Sequence, residues 1–354
     1  MNRPRVDWIL TLPIVFFVIV SLTILSSVAP QLVRDQTIFI LFGAAIYLFV
    51  SSIDYELFFS LHWISYISTL ALSFITIFFG FISRGAQRWI YIGPFNIQPS
   101  EVIKPFLLIT FAVIASAELK HKQISLILLG LIPMLTVYFQ PDLGTTLVIF
   151  VGWASIVFSK MSMRFSVLVT LFALLISFPV VKFGLQDYQR DRLMTFIDPY
   201  QDPLGKGYHV IQSTIAVGSG ELTGRGLGHG TQTQLKFLPE HHTDFIFASI
   251  SEELGFVGSF TCLLMYAILF WRIYNISQTV KDAKASLFCL SAIAMLSFQT
   301  FINIGMNIGI APVTGITLPL LSYGGSSLLS VATILGLVNS ISRKAKESRT
   351  LIIR

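Results

Sequence analysis

Ten apolar runs of about 16 to 25 residues, each bounded by charged or turn-forming residues, constrain this chain more than any motif does. They fall at about 8–28, 36–53, 63–82, 100–117, 124–139, 143–159, 165–184, 245–271, 285–308 and 317–341. A helix needs roughly 20 apolar residues to cross a hydrocarbon core about 30 Å thick. The sequence is therefore that of an all-α integral membrane protein, a polytopic bundle of about ten transmembrane helices forming one membrane domain over 1–354. The fifth and sixth runs are short and separated only by Gln140-Pro141-Asp142. Composition agrees: 54% of the 354 residues are hydrophobic and 12% are charged, where a soluble domain carries roughly 25% charged residues.

Lys and Arg of short loops favour the cytoplasm. With an inside N-terminus the cytoplasmic segments hold Arg3, Arg5, Lys120, Lys122, Lys160, Arg164, Arg272, Lys281, Lys284 and the basic tail from Arg343, and both termini are cytoplasmic. The net charge of +6 thus orients the bundle; without a basic stripe or an aromatic RNA-binding motif it does not imply nucleic acid. The first run exceeds a secretory h-region and many spans follow, so it reads as a span although Ser27-Val28-Ala29 resembles a cleavage site. Cys262 and Cys289 lie inside apolar runs and read as packing residues.

Two external stretches are more than connectors: Ser83 to Pro99, and a large extracytoplasmic loop over about 185–243. Leu193, Phe196 and Ile197 stand at i, i+3, i+4 and suit a short amphipathic helix on the membrane surface. The glycines at 218, 220, 224, 226, 228 and 230 lack the Lys-Ser/Thr of a phosphate loop and read as turn residues, so no nucleotide cofactor is expected.

A charge at membrane depth costs about 2.5 to 3.5 kcal/mol on insertion scales, so each polar group inside a run is a functional candidate. Glu101 and Lys104 share one face at the start of the fourth run; they either pair or leave Lys104 to hold a substrate phosphate, and Pro105 bends the helix. Asp142 stands where it can cap the sixth span. Gln299, Asn303 and Asn307 form a polar stripe that interhelical hydrogen bonding explains. Thr317 to Ser327, with Ser322 and two glycines, either lines a cavity or packs closely against neighbours. In Glu240-His241-His242-Thr243-Asp244, Thr243 is placed to cap the eighth span and Asp244 to lie in its first turn. Glu252 and Glu253 would then sit about 12 and 13.5 Å deeper, at 1.5 Å per residue, and at least one needs a basic or hydrogen-bonding partner. With Glu240, His241, His242 and Asp244 so close, a divalent metal site is an alternative reading, although the spacing matches no zinc pattern and no ligand is assigned.

The runs Gln189–Leu222 and Gly224–Ala248, with Gly85–Ile90, Phe95–Lys104, Gln140–Thr145, Asn303–Met306 and Leu318–Ser327, resemble the SEDS family of bacterial cell-wall glycosyltransferases. The forms DPLGKGYH and HGTQTQLKFLPE are closer to its elongation branch than to its division branch. The resemblance implies a ten-span polymerase that joins lipid II into peptidoglycan strands on the outer face of the cytoplasmic membrane, during cell elongation and shape maintenance. It also implies a class B penicillin-binding transpeptidase and other elongation-complex membrane proteins as partners. It makes Asp244 the catalytic residue, Trp89 functionally sensitive, and Glu101 and Lys104 cavity residues. His241 departs from it, since relatives often carry Arg there; the change adjusts local charge.

Joined to the residue reading, this makes Asp244 the general base and Arg88, Lys104, Arg190 and Arg192 the cations for the leaving diphosphate. A divalent cation, Mg or Mn, is a further expectation there. Trp89, Glu101, Asp142, Glu240 and Ser322 complete the expected substrate-binding set. A lipid II flippase and a non-catalytic scaffold for the transpeptidase are the rival readings.

Overall fold

A computed structural model of the chain describes residues 6–83, 86–92, 95–118, 122–160, 167, 187–235 and 237–352. The bundle begins with α1 (Trp8–Val28), α2 (Val33–Ser52), the short α3 (Tyr55–Ser60) and α4 (His62–Phe79). α4 shows the membrane pattern most plainly: Tyr66, Thr69, Ser73 and Thr76 face the bundle, while Ile64, Ile67, Phe74, Ile75 and Phe78 face outward. Polar groups inside and apolar groups outside is the arrangement lipid favours, because hydrocarbon cannot satisfy hydroxyls.

The stretch from Ser83 to Pro99 is more ordered than a connector. It contributes to a three-stranded antiparallel sheet of β1 (Phe81–Ser83), β2 (Ala86–Ile92) and β3 (Phe95–Ile97). Trp89 pairs with Phe81, and Ile90 with Ile97. Aromatic and β-branched residues, Trp89, Ile90, Tyr91 and Ile92, favour the strand.

The fourth span is split into α5 (Pro99–Val102) and α6 (Lys104–Ser116) at Ile103, with Pro105 in the first turn of the second piece, the expected bend. α7 (Lys122–Tyr138) and α8 (Leu143–Lys160) follow as the short fifth and sixth spans. The seventh expected span, 165–184, lies outside the described residues apart from position 167. The large loop holds α9 (Asp187–Ile197), which contains the expected amphipathic segment, α10 (Tyr208–Ser219) and the single turn α11 (Thr231–Gln234). The chain ends with α12 (Ile246–Thr279), α13 (Ala283–Asn307) and α14 (Gly325–Ile352). Among the described residues seven helices are long and apolar enough to cross a membrane, and α7 and α8 are shorter apolar helices.

Two boundaries differ from the sequence reading. The tenth span starts at Gly325 rather than Thr317, and residues 308–324 run as irregular backbone into the bundle. The eighth is broken at Gly255 (φ 65°, ψ −163°). The large loop fills this break. Phe256 N–H donates to Glu221 O (2.8 Å) and Val257 N–H to Leu222 O (3.1 Å), while Arg225 and Gly226 N–H donate to the carbonyls of Glu252 (2.9 Å) and Glu253 (3.0 Å). Backbone freed by a break in a spanning helix must find partners within the protein, and here the loop supplies them. Gly224 (φ 81°) and Gly255 meet back to back, where a side chain on either would strike the other's backbone.

The break also corrects the depth of Glu252 and Glu253, because the half-helix before Gly255 is not collinear with the spanning half after it. Both are buried carboxylates whose partners belong to the loop and α1. Glu252 accepts from the N–H groups of Gln232 (2.8 Å) and Thr233 (3.1 Å) at the N-terminus of α11, and Glu253 accepts from Gly228 N–H (3.1 Å) and from Ser27 Oγ.

Candidate functional site

α12 begins at Ile246, with Phe245 as its cap residue, so Asp244 stands just before the helix and not in its first turn. Thr243 does not cap it. Its hydroxyl bonds to Glu240 Oε2 (3.1 Å), while Glu240 O accepts from the N–H groups of Thr243 (3.1 Å) and Phe245 (3.2 Å). Glu240 adopts φ 54°, a left-handed conformation costing a non-glycine residue roughly 1–2 kcal/mol. The strained turn directs Glu240 to Phe245 into the bundle rather than straight into helix.

The expected polar stripe holds this segment. Asn303 Nδ2 and Asn307 Nδ2 both donate to Asp244 O (3.0 and 3.1 Å), and Asn307 Oδ1 accepts from Ala248 N–H (2.9 Å). Opposite them runs Thr314 to Leu318. Asn303 Nδ2 donates also to Ile316 O (2.7 Å), and Gly315 (φ 75°) lies so close that a β-carbon on it would stand 3.7 Å from Asp244 Oδ2. Arg192, from α9, donates to Thr314 O (3.0 Å), next to Gly315. Ser322 Oγ accepts from Leu318 N–H (2.8 Å) and donates to Thr243 O (2.7 Å), locking the two irregular segments together. Tyr323 N–H donates to His242 O (2.9 Å). His209 of α10 stacks on Phe245 (6.2 Å), and burial lowers its pKa below the usual histidine value against the opposing pull of Glu240. Asp244, Glu240, Ser322 and Arg192 are thus brought together. Arg190 is exposed on the same helix as Arg192.

A second cluster gathers the remaining expected residues. Asp142 caps α8 through Thr145 N–H (3.2 Å) and also accepts from Gln98 Nε2 (2.7 Å) and Ser100 Oγ (2.8 Å), with Arg88 Nη1 at 3.9 Å. Lys104 Nζ donates to Glu101 Oε2 at 2.6 Å inside the bundle, so the two charges are paired in this state. Trp89 stands half-buried beside Arg88 on β2. The clusters share a wall: Gly144, two residues from Asp142, packs on Thr314 and Ile316, and Gln98 N–H donates to Ser326 Oγ (2.9 Å). Among the described residues no three His, Cys, Asp or Glu side chains converge to hold a metal ion.

Sequence reasoning missed Gly315, whose positive φ only a structure reveals; the expected interhelical bonding of the stripe is present in Asn307 to Ala248, but that Asn303 and Asn307 also fix Asp244 was not foreseen. The four-residue spacing of the asparagines was the available signal.

Broken spans, irregular backbone within the bundle and a carboxylate beside the large loop define a multi-pass membrane protein with a buried polar site. The chain belongs to the FtsW, RodA and SpoVE family, described as cell cycle protein, which it matches over residues 5–347. It is 45% identical over 271 residues to the peptidoglycan glycosyltransferase MrdB of Escherichia coli (strain K12), covering 74% of this chain and 72% of that protein. Its fold matches a chain from a structural study of polymerization and crosslinking by a peptidoglycan synthase complex, with TM-score 0.82 and 33% identity over 96% of this chain and 98% of that one. The rod shape determining protein RodA of Thermus thermophilus matches with TM-score 0.73 and 28% identity, over 96% of this chain and 97% of its own.

Proposed function

We propose that this chain is a peptidoglycan glycosyltransferase that polymerises lipid II into glycan strands during cell elongation, at the outer face of the bacterial cytoplasmic membrane. The observation that carries the reading is the Asp244 carboxylate set against Gly315, with its backbone gripped by Asn303 and Asn307, in a segment that enters the bundle under the large loop.

In the proposed reaction the 4-hydroxyl of the acceptor GlcNAc attacks the anomeric carbon of the donor MurNAc with inversion. The new glycosidic C–O bond forms as the bond to undecaprenyl diphosphate breaks, and the hydroxyl proton passes to Asp244 as general base. Arg192, anchored beside Gly315, is the cation best placed for the departing diphosphate, joined by Arg190 and by Arg88 at the neighbouring cluster. Lys104 reaches that charge only by parting from Glu101. Ser322 and Glu240 hold the Asp244 segment, and Asp142 organises the Gln98 to Glu101 turn on the donor or acceptor side. Trp89 stacks on a sugar face. A divalent cation, Mg or Mn, would add positive charge at the departing diphosphate.

The C55 tail accounts for a catalyst made of membrane helices: at about 0.8 kcal/mol per buried CH2, the lipid stays in the bilayer and the enzyme must meet it there. The structural match to a peptidoglycan synthase complex supports a class B penicillin-binding transpeptidase as partner; other elongation-complex membrane proteins are further proposed partners. The basic residues near Asp7 and along the end of α14 support cytoplasmic termini.

The broken fourth and eighth spans would also suit a lipid II flippase. Purified protein in liposomes with lipid II separates the two readings. Polymer that disappears in Asp244→Asn and Asp244→Ala is expected; translocation of lipid II without polymer, or full growth on Asp244→Asn as for a scaffold, would overturn the enzyme reading.

A further inference from the structure

Two buried side chains beneath Asp244 carry hydrogen-bonding groups that the protein leaves unused. Gln299 on α13 is fully buried, and among the described residues neither its Nε2 nor its Oε1 has a partner. Ser330 on α14 is buried too, and its hydroxyl has none, not even the carbonyl one turn earlier that serves Thr333. Almost all buried polar groups in folded proteins are paired, so an orphaned carboxamide inside a membrane bundle marks a functional position.

Packing fixes where the two stand. On α8, Gly144 packs on Ile316, whose carbonyl accepts from Asn303 (2.7 Å), and Gly152 packs on Leu108 of α6 and Met295 of α13. The stretch from Gly144 to Gly152 thus runs alongside the stretch from Asn303 back to Met295. Midway lies Gln299, one helical turn, about 6 Å, beneath Asn303, which holds Asp244 O. Lys104, one turn outward of Leu108 on α6, occupies the same layer. Ser330 joins it from α14. Ser326 Oγ accepts from Gln98 N–H (2.9 Å) and Ser327 Oγ bonds to Thr317 Oγ1 (2.8 Å); Ser330, at i+4 and i+3 from these, shares their inward face one turn deeper. The other face of α14 packs on α2, with Leu328 against Gly43 and Gly325 against Phe39.

We propose that Gln299 and Ser330 contact the diphosphate of the lipid-linked donor and, with Lys104, form its binding layer one turn beneath Asp244. This rests on the proposed reaction. The order of the layers follows the order of groups along such a lipid, whose diphosphate lies between tail and sugar. With the sugars at Asp244, the diphosphate falls toward the membrane interior, at the level of Lys104. The ammonium brings positive charge. The carboxamide N–H groups and the hydroxyl bring directed donors for phosphate oxygens, which only accept. Gln299 Oε1 remains as an acceptor for Lys104 Nζ within the layer, so each orphaned group gains a partner when the ligand is bound. The diphosphate is then held between this layer and Arg192, which stands beside Gly315. Neither Gln299 nor Ser330 adds charge; their part is to orient the leaving group.

The test compares wild type, Gln299→Leu and Ser330→Ala in detergent, with undecaprenyl diphosphate as the probe. Because both side chains leave groups unused in the free protein, the variants should unfold without probe at the wild-type temperature or above it. Affinity for the probe should fall about 10- to 100-fold in Gln299→Leu and by a smaller factor in Ser330→Ala. The rise in unfolding temperature that the probe gives wild type should shrink in the same order. Phosphatidylglycerol, an anionic lipid without a diphosphate, should not displace the probe. Equal affinity in all three proteins, displacement by phosphatidylglycerol, or a marked loss of stability in probe-free Gln299→Leu overturns the proposal. Lipid II polymerisation separates this from the reaction itself. Protein that binds the probe through Gln299 yet makes no polymer keeps the layer and removes the reaction, whereas polymer made by Gln299→Leu at wild-type kcat and KM removes the layer and keeps the reaction.

Discussion

The Asn307 carboxamide takes the place of the hydrogen bond that would have closed the first turn of α12, its Nδ2 donating to Asp244 O and its Oδ1 accepting from Ala248 N–H. Those two groups are i and i+4, the pair an unbroken helix would join directly. By standing between them Asn307 keeps Asp244 out of the helix yet gives both backbone groups a partner.

Asn307→Leu should therefore cost more than its side-chain volume suggests, because it leaves a buried donor and acceptor without partners, at about 1–3 kcal/mol each. A lower unfolding temperature in detergent and a polymerisation rate reduced about 10- to 100-fold are expected. Asn307→Asp keeps the acceptor for Ala248 but sets a carboxylate against Asp244 O, and should be no better. An unchanged rate in either variant would show that the clamp does not position Asp244.

Gly255→Ala tests the break in α12. The positive φ disfavours a side chain and the new methyl would press on Gly224, so a loss of ~3 kcal/mol is expected, read as a fall in unfolding temperature. Protease cleavage within 220–230 should rise in parallel, because the loop's backbone partners at Glu252 to Val257 shift.

Breaking the Glu101–Lys104 pair separates stability from function. Glu101→Gln or Lys104→Met alone leaves an uncompensated buried charge, worth roughly 3–5 kcal/mol of lost stability. The double variant should recover most of the unfolding temperature. Polymerisation should remain low in the double variant if Lys104 meets the diphosphate, and should recover with stability if the pair is only structural.

On the opposite face Asp7 ties the start of α1 to α12 and α14. Burial would raise its carboxyl pKa, but hydrogen bonds from Arg272, Ser342 and Lys346 outweigh that and hold it well below the usual carboxylate range. A group whose folded pKa is depressed stabilises fully above its unfolded value, near ~3.9, and loses that contribution as pH falls through the folded value. Unfolding temperature should therefore fall below about pH 4 in the wild type. Asp7→Asn should be less stable at neutral pH by ~2 kcal/mol and should show a smaller further loss in acid.

The spans could be read from the chain because lipid imposes a one-dimensional rule: run length and the position of charges decide what crosses, whatever the neighbours do. The carboxylates, asparagines and cations of the site were visible for the same reason, as expensive groups in apolar runs. Their roles were not. Asp142 reads as a cap and is one, yet it also gathers Gln98 and Ser100, 44 and 42 residues earlier. Glu252 and Glu253 read as deep charges in need of a basic or hydrogen-bonding partner and have the second kind, but that the donors are loop N–H groups follows only from Gly255 ending the half-helix that carries them.

Where backbone departs from regular helix inside the membrane, its hydrogen bonds must be completed by residues remote in sequence, and no local pattern encodes which. Thus the ten apolar runs, the bias of basic residues and the polar stripe on α13 belong to the sequence. The entry of Glu240 to Phe245 into the bundle and the seating of Gly315 against Asp244 exist only once α12, α13 and the 308–324 segment have packed together.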